Sequence, residues 1–490
     1  YIINNNEKEI NMKNKIKLEN ILCAFIILCP ILDMTSFIFR NTFNTKLSPS
    51  TIIRPLIPTL VILYLFIKKD KKFKKKLLIT GLVYAVYALI HIYLFSKVKT
   101  GMSFGTETHE LQYIINYTFM IINLIIFTVV FKEENIDKMK KSVLIAAGIY
   151  IISIYISILT KTSSHTYIEG MGYKGWFESG NSISAILLLT MFIYLPYVKN
   201  KKYRKFVIPI LVLVGIFLSM LIGTRAGLFG FIIIIALYMG IEVLFNILKN
   251  EKIDKKFFII GITGIAIIIL IIIGCGSTTL QRRKHLKDIE SDIIDETSQE
   301  NAHITGSTLK IKEQIEKNEI EEGYMSEAQK QSILDLYNIA NKLQVKNNDQ
   351  RMQQLIYNIV LVKNQKSILM ILFGNGYVAN FCELVLEMEL VSMLLNFGVI
   401  GFLLYMGPFL AIFLSSLYYG IKYIKQIDSE YVFLWFGSAM AFALSLLSGY
   451  TFFSSSSVIM IISINTILFI KMQKIKRKNI EQDVKLKGIK

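Results

Sequence analysis

The sequence contains little of what a soluble catalytic domain commonly uses. Its 490 residues include seven prolines, four cysteines and two tryptophans. The cysteines form no C-x-x-C pair, and the five histidines are scattered without metal-ligand spacing. No P-loop or G-x-G-x-x-G segment follows a predicted strand. These absences argue against structural-metal, redox and nucleotide chemistry, and we predict no metal and no cofactor.

Long apolar runs dominate what is present. Hydrophobic residues make up 53% of the chain, and runs of roughly 17–25 residues, the length that spans a bilayer as a helix, recur along most of it. Inside lipid every backbone polar group must be paired within its own segment, so these runs are predicted to be helical. We predict an all-α integral membrane protein with about 12 transmembrane helices, at about 20–39, 51–67, 77–95, 112–131, 142–160, 181–198, 206–222, 226–248, 257–275, 390–419, 431–448 and 456–470.

One long polar segment interrupts this pattern. We assign 1–275 to transmembrane helices 1–9, 276–389 to an extracytoplasmic loop region with amphipathic helices, 390–470 to helices 10–12, and 471–490 to a basic cytoplasmic tail. Within the loop region, residues 324–345 have the pattern of an amphipathic helix. Such a helix can be a plain cap, and we favour a lid that closes a site. No A-x-A-like cleavage site follows the first apolar run, so we expect it to be a true first span.

The basic balance of the chain follows its topology. The formal charge is +19, but Lys and Arg concentrate in alternate connections between the predicted spans. With a cytoplasmic N-terminus, the cytoplasmic connections and both tails hold 34 of them, whereas the short external segments hold 8. This asymmetry predicts that both termini are cytoplasmic. The positive charge then faces lipid headgroups, and we predict no nucleic-acid partner.

A lone arginine interrupts two apolar runs in SMLIGTRAGLFGF, residues 219–231. The predicted topology places Arg225 in a short external turn, G-T-R-A-G, between the seventh and eighth spans. An arginine near a helix end can reach the lipid headgroups without further function. It can equally bind an anion at the surface, and the residue alone leaves both interpretations open.

Two further polar groups are predicted on the external side. Glu178 and Asn181 open the sixth span in GWFESGNSIS, either as an ordinary capped helix start or as a polar wall of a substrate cavity. Asp33 and Arg54 lie in the outer parts of the first and second spans. They form either an ion pair that compensates burial or part of a binding site.

Arg351 begins an amphipathic segment within 347–377. Leu355, Ile359 and Val362 share one face of this helix by their spacing. The arginine is either a plain surface residue or a ligand presented by the loop.

Three carboxylates stand at the entrance of the tenth span. Glu383 and Glu387 share a helix face, whereas Glu389 points elsewhere. Acidic residues favour a helix N-terminus, which is the simplest explanation. Carboxylates beside an apolar span are costly unless they meet cations or water, and this cost favours a functional explanation.

In this order the features resemble the O-antigen ligase and polymerase superfamily. The motifs are an N-S helix start, G-T-R-A-G, a long external loop ending in F-G-N-G, and an E-M-E entrance to a helix bearing G-V-I-G. The segments P-I-L-D and S-P-S-T-I-I-R-P look like a Gram-positive branch. The resemblance implies a glycosyltransferase C-like membrane protein, with glycan passing from a polyprenyl-diphosphate donor to a hydroxyl on the outer face of the membrane.

The resemblance also implies roles for individual residues. Arg225 and Arg351 fall where the family has arginines that hold the lipid diphosphate. Glu387 and Met388 stand where many ligases have histidine and asparagine, eleven residues before Gly398. This departure suggests a carboxylate in the role of the histidine, with Glu389 as the second candidate. The predicted substrate-binding residues are Asn181, Glu178, Arg54, Asp33 and Glu383.

These residue types suit the chemistry. Arginine forks match phosphate oxygens and stay charged, so they can stabilise a diphosphate leaving group without a metal. A carboxylate can take the acceptor proton, and partial burial beside Leu386 and Leu390 would raise its pKa into a useful range. We therefore predict direct displacement with inversion at the anomeric carbon.

We predict a polymerase of surface or capsular polysaccharide repeat units in the plasma membrane, with an extracytoplasmic active site. Its predicted partners are the lipid-linked glycan, the bilayer and other polysaccharide-assembly membrane proteins. A ligase to a cell-surface acceptor shares the donor chemistry, but the E-M-E departure and an Ile-, Lys- and Asn-rich composition favour the polymerase. A flippase is the second alternative, although it would place charges near the midplane.

Overall fold

The structure is a computed structural model that describes residues 17–45, 47–103, 106–167, 170–199, 207–249, 255–285, 307–345, 349–377, 384, 386–447, 449 and 451–487. Helices dominate these residues, as the apolar runs predict. The first nine are α1 Leu18–Thr42, α2 Pro49–Lys68, α3 Lys71–Val98, α4 Glu107–Val130, α5 Ile136–Leu159, α6 Gly180–Lys199, α7 Val207–Ile216, α8 Arg225–Leu248 and α9 Lys255–Cys275. They are followed by α10 Ser307–Glu316, α11 Glu327–Lys342, α12 Gln350–Asn364, α13 Ile368–Phe373, α14 Glu389–Lys422, α15 Ser429–Leu447 and α16 Ser455–Lys487.

Within the described part of the chain, ten helices are long and apolar enough to cross a bilayer. They are α1 to α6, α8, α14, α15 and the Ser455–Ile480 part of α16. The other two predicted spans coincide with α9 and with α7, which continues through a π-helical turn at Phe217–Leu221. The described part of that seventh segment ends in the π-helical turn directly before the Arg225 turn. The chain is an all-α multispan membrane protein.

The bundle is arranged around two enclosed helices. In their most apolar windows, 83% of α6 and 78% of α16 are buried, against 17% of α3. α16 packs against α4, α6, α14 and α15, and α6 packs also against α5 and α8. The helices α6, whose first turn carries the candidate site residue Asn181, and α16 are therefore the central ones, whereas α3 exposes most of its apolar surface.

The segment between α9 and α14 has a small core of its own. α11 packs on α12, and Leu336, Tyr357 and Leu361 are buried between them. The amphipathic helix predicted at 324–345 is thus confirmed as α11. The face of α12 that carries Ile359, which is 49% exposed, is not the one that packs on α11; α11 contacts the opposite side, which carries Tyr357.

A glycine-rich turn after α13 locks this segment onto the membrane helices. α14 is kinked at Gly398, whose φ of 70° lies in the left-handed region. A Cβ at Gly374 would lie 1.9 Å from the Asn396 carbonyl oxygen, and one at Gly398 would lie 2.4 Å from the Gly374 nitrogen. Two backbones approach so closely here that neither position accepts a side chain. The loop segment and the upper part of α14 therefore form one unit.

A fully buried hydrogen-bonded pair of side chains supports the same turn. His91 on α3 and Glu110 on α4 are both 0% exposed, with Nε2 and Oε1 2.8 Å apart. The Phe373 carbonyl can only accept, so His91 Nδ1 donates to it at 2.7 Å, while Glu110 Oε2 accepts from the Tyr377 amide at 2.9 Å. One dyad thus pairs both ends of the turn.

Removing one member of this dyad should destabilise the protein strongly. Glu110→Ala leaves His91 Nε2 and the Tyr377 amide buried without a partner, which is expected to lower the free energy of unfolding by about 3–5 kcal/mol. Glu107→Ala, on the same helix in an exposed pair with Lys99, is the matched control and should change it by less than about 1 kcal/mol. Thermal unfolding in detergent compares the two, and equal losses would contradict a supporting role for the dyad.

Candidate active site

Helix direction brings the candidate residues to one end of the bundle. Successive spans alternate in direction, so the ends of α1, α5, α7 and α15 meet the starts of α2, α6, α8, α14 and α16. Arg54, Glu178, Asn181, Arg225 and Glu387 all lie at or near these termini. The sequence pattern predicts this common placement, but it cannot say which of these residues touch.

Arg225 begins α8 directly after a strained turn. Gly223 has a φ of +80°, and Thr224 caps the helix by accepting from the Gly227 amide at 3.1 Å. The hydroxyls of Thr224 and Ser184 lie 2.7 Å apart, which joins the turn to the first turn of α6, where Asn181 lies. The Arg225 side chain is exposed and projects from this fixed turn.

Arg225 lines a pocket of about 300 Å³. Its other lining residues are Leu228, Phe229, Thr279, Leu280 and Arg283. Among the described residues, neither arginine forms an ion pair or a hydrogen bond. Two guanidinium groups beside an apolar wall can bind a phosphorylated lipid by its headgroup and the start of its chain.

Arg54 holds a polar cluster within the helices. It donates to Asp33 Oδ1 at 2.5 Å and to Ser456 Oγ at 2.8 Å, and also contacts the Ser455 hydroxyl. Tyr150 donates to the other oxygen of Asp33. The predicted Asp33–Arg54 pair therefore forms, and it ties α1 and α2 to α5 and to the start of α16.

Glu178 lies beside this cluster. It accepts from Arg40 Nη1 at 2.7 Å, and both side chains are partly exposed. Burial raises the pKa of the Glu178 carboxyl, and the neighbouring Arg40 opposes that rise. Asp33 and Arg54 also act electrostatically on Glu178, so the two predicted polar groups share one electrostatic environment. Burial likewise lowers the pKa of Lys174, whose ammonium donates to the Glu178 backbone carbonyl at 2.9 Å.

Glu389 is a buried anchor for the connection between α15 and α16. Its Oε2 accepts from Ser445 Oγ at 3.0 Å, from the Thr451 amide at 2.9 Å and from the Phe452 amide at 2.8 Å. Its Oε1 accepts from the Phe453 amide. The side chain is enclosed, with the residue 5% exposed, so its oxygens are occupied by the loop.

Glu387 is the accessible carboxylate of the pair. Its Oε2 accepts from Arg351 Nε at 3.1 Å, and the two side chains are 42% and 41% exposed. Arg351 also donates to the Leu447 carbonyl, at the end of α15. The burial expected for the catalytic carboxylate is therefore absent at Glu387, which points outward between the buried Leu386 and Leu390, and is present at Glu389.

The structure thus brings the predicted residues together in pairs. Arg351 joins Glu387, and Arg54 joins Asp33, whereas Arg225 contacts none of the other predicted residues within the described part of the chain. Glu383 lies outside the described residues. The residues 449–456 connect the groups: Gly449 lies against the Glu387 backbone carbonyl, the amides after it bind Glu389, and the serines after those meet Arg54.

Several residues of the site escaped sequence analysis. Tyr150, Arg40 and Arg283 carry no local pattern that marks them, whereas Ser455 and Ser456 belong to a run of four serines. The run SSSS at the start of the twelfth span was the one available signal, because four hydroxyls facing an apolar helix need partners. No group of three His, Cys, Asp or Glu side chains that could hold a metal occurs among the described residues.

Comparison with known proteins gives the family. The family model described as O-antigen ligase like membrane protein matches residues 14–475, nearly the whole chain. No curated protein and no solved structure matches the chain. The described helices and the position of the long loop agree with the family inferred from the motifs, and the match indicates glycan transfer at a membrane. The chain therefore belongs to the O-antigen ligase-like membrane protein family.

Proposed function

We propose that this protein polymerises surface polysaccharide at the outer face of the plasma membrane. It takes a glycan from a polyprenyl diphosphate and attaches it to a sugar hydroxyl of a second lipid-linked repeat unit. The proposal rests on two features at the same end of the bundle. One is the pocket lined by Arg225, and the other is the accessible Glu387, which pairs with Arg351.

The donor diphosphate binds at Arg225. Its guanidinium stands on a rigid turn, stays charged at any relevant pH and faces a pocket with apolar walls. As the bond from the anomeric carbon to the phosphate oxygen breaks, the electron pair moves onto the diphosphate. A preorganised cation at that developing charge contributes a few kcal/mol of transition-state stabilisation.

The acceptor hydroxyl is activated by Glu387. The oxygen of the acceptor hydroxyl forms the new bond to the anomeric carbon from the side opposite the diphosphate. The proton of that hydroxyl passes to the Glu387 carboxylate. Arg351 orients that carboxylate through the 3.1 Å contact from its Nε. A single displacement of this kind inverts the anomeric configuration.

The polar groups at the same end of the bundle line the path of the glycan. Glu178 and Arg40 are partly exposed and lie beside the Asp33–Arg54 pair, while Asn181 starts the enclosed helix α6. A sugar needs many donors and acceptors for its hydroxyls, which this wall supplies. The more buried Asp33 and Arg54 hold α16 in place beneath it.

A repeat-unit acceptor is favoured over a finished-glycan acceptor by the residue at position 387. Where many ligases carry histidine and asparagine, this chain carries Glu387 and Met388. The exposure of Glu387 at the bundle end and its pairing with Arg351 support a carboxylate in the role of that histidine.

Transfer by the purified protein tests the proposal. With polyprenyl-diphosphate-linked repeat units and EDTA present, we expect longer lipid-linked glycan and one released polyprenyl diphosphate per bond formed, because the arginines replace a metal. Gel separation of the glycans and mass spectrometry of the lipid products measure both. Full dependence on a divalent metal, or glycan crossing vesicles without any bond formed, would overturn the enzyme proposed here.

A further inference from the structure

Three consecutive hydroxyl side chains fasten the segment after α9 to the Arg225 turn. The π-helical turn and the left-handed Gly223 interrupt the helical ladder, so carbonyls of this turn need other partners. The contacts are Ser277 Oγ to the Ser219 carbonyl at 2.7 Å, Thr278 Oγ1 to the Met220 carbonyl at 2.5 Å and Thr279 Oγ1 to the Thr224 carbonyl at 3.4 Å. The run S-T-T thus fixes one segment against the other.

A stacked arginine continues this attachment. The Arg282 guanidinium lies over the Tyr167 ring, 3.5 Å from its centroid, and the Tyr167 hydroxyl donates to the Gly223 carbonyl at 3.3 Å. Residues 278–285 are helical, so neighbouring side chains point in different directions. With Arg282 held on Tyr167, Arg283 is turned into the pocket that Arg225 lines.

The pocket therefore contains two cations on two rigidly joined segments. Arg225 comes from the start of α8, and Arg283 comes from the segment after α9. Thr279, from the same segment as Arg283, also lines the pocket. Two guanidinium groups that converge on one cavity repel each other, and a bound anion removes that repulsion. Phe229 and Leu280 in the wall are 56% and 48% exposed, which leaves apolar surface open beside the cations.

We propose that Arg283 is a second phosphate ligand of the donor site and makes it selective for a lipid diphosphate. This inference rests on the proposed function, because it assigns a further residue to the same donor. One arginine fork can grip one phosphoryl group, and two forks grip the two groups of a diphosphate, each by paired hydrogen bonds. The exposed Phe229 and Leu280 take the first part of the prenyl chain.

Binding of farnesyl diphosphate tests this assignment apart from catalysis. The full-length protein in nanodiscs is titrated with farnesyl diphosphate, with farnesyl monophosphate and with phosphatidylglycerol by microscale thermophoresis. We expect the diphosphate to bind best, and Arg283→Ala to weaken it roughly 10- to 100-fold, the loss expected for one charge-assisted pair. Arg283→Lys should recover only part, because an ammonium does not fork.

Lys284→Ala is the matched control, since it removes an exposed charge from the same segment outside the pocket and should leave affinity unchanged. Thermal unfolding confirms that each variant is folded. If Arg225→Ala loses the diphosphate and Arg283→Ala does not, the role of Arg283 is refuted and the proposed function stands. If wild-type protein binds phosphatidylglycerol as tightly as the diphosphate, the site is a general lipid contact and the inference fails. If wild-type protein forms polymer but Arg283→Ala changes neither binding nor product, the role of Arg283 is refuted while the proposed function stands.

Discussion

Glu387→Gln is expected to reduce the rate of polymer formation by about 10²- to 10⁴-fold, the range that loss of a general base commonly removes. The amide keeps the size of the side chain and can still accept from Arg351, but it cannot take the acceptor proton. Binding of the lipid diphosphate should stay within about twofold of wild type, because the arginine pocket is untouched. Initial rates of bond formation, measured with saturating donor, are the quantity to compare.

Two other glutamates serve as controls for this substitution. Glu327 is 89% exposed on α11, and Glu327→Gln should leave the rate unchanged. Glu389→Gln replaces one of the two acceptor oxygens with an NH2 group, which then faces amide or hydroxyl donors that it cannot accept from, so it should lower the melting temperature as well as the rate. A Glu387→Gln enzyme of normal rate would refute the base, and if Glu389→Gln alone lost activity with unchanged stability, Glu389 would be the better candidate.

Arg225→Ala should lower the rate by about 10²- to 10³-fold and weaken donor binding as well. The lost guanidinium acts on the diphosphate in the ground state and more strongly as charge grows on it. A loss of this size is typical when one preorganised donor to a developing anion is removed. Arg225→Lys should restore part of the rate. Initial rates at several donor concentrations separate the effect on binding from that on bond formation.

The control for Arg225 is Lys97→Ala, which removes an external charge from the end of α3, where Lys97 stacks on Tyr93. It should change neither rate nor binding. Normal polymerisation by Arg225→Ala would remove the donor site and leave the arginine as a contact to ordinary headgroups.

Much of the fold could be predicted from the sequence, since spacing and composition are strong in a membrane protein. The twelve apolar runs each fall on a helix, and the lone Arg225 lies at a turn between two of them. The pairing of Asp33 with Arg54 could also be anticipated, because two opposite charges near apolar spans stabilise each other.

Other parts depend on contacts between segments far apart in the chain. Nothing near Glu389 in the sequence shows that amides more than sixty residues later will enclose it, and spacing alone made it an equal of Glu387. Both faces of α12 carry apolar residues, so the sequence does not show which face is buried, and only the position of α11 decides between them. Arg283 stands in a polar run where any basic residue would look solvated.

The interlocked glycines, Gly374 and Gly398, limit how the proposed site can move. The loop segment and the upper part of α14 are in backbone contact, and His91 and Glu110 brace them, so they cannot separate without exposing buried carbonyls. If the protein extends glycan as proposed, we expect Glu387, two residues before α14, to stay fixed relative to the bundle in each round of extension. The growing glycan would then be the part that moves past the proposed base.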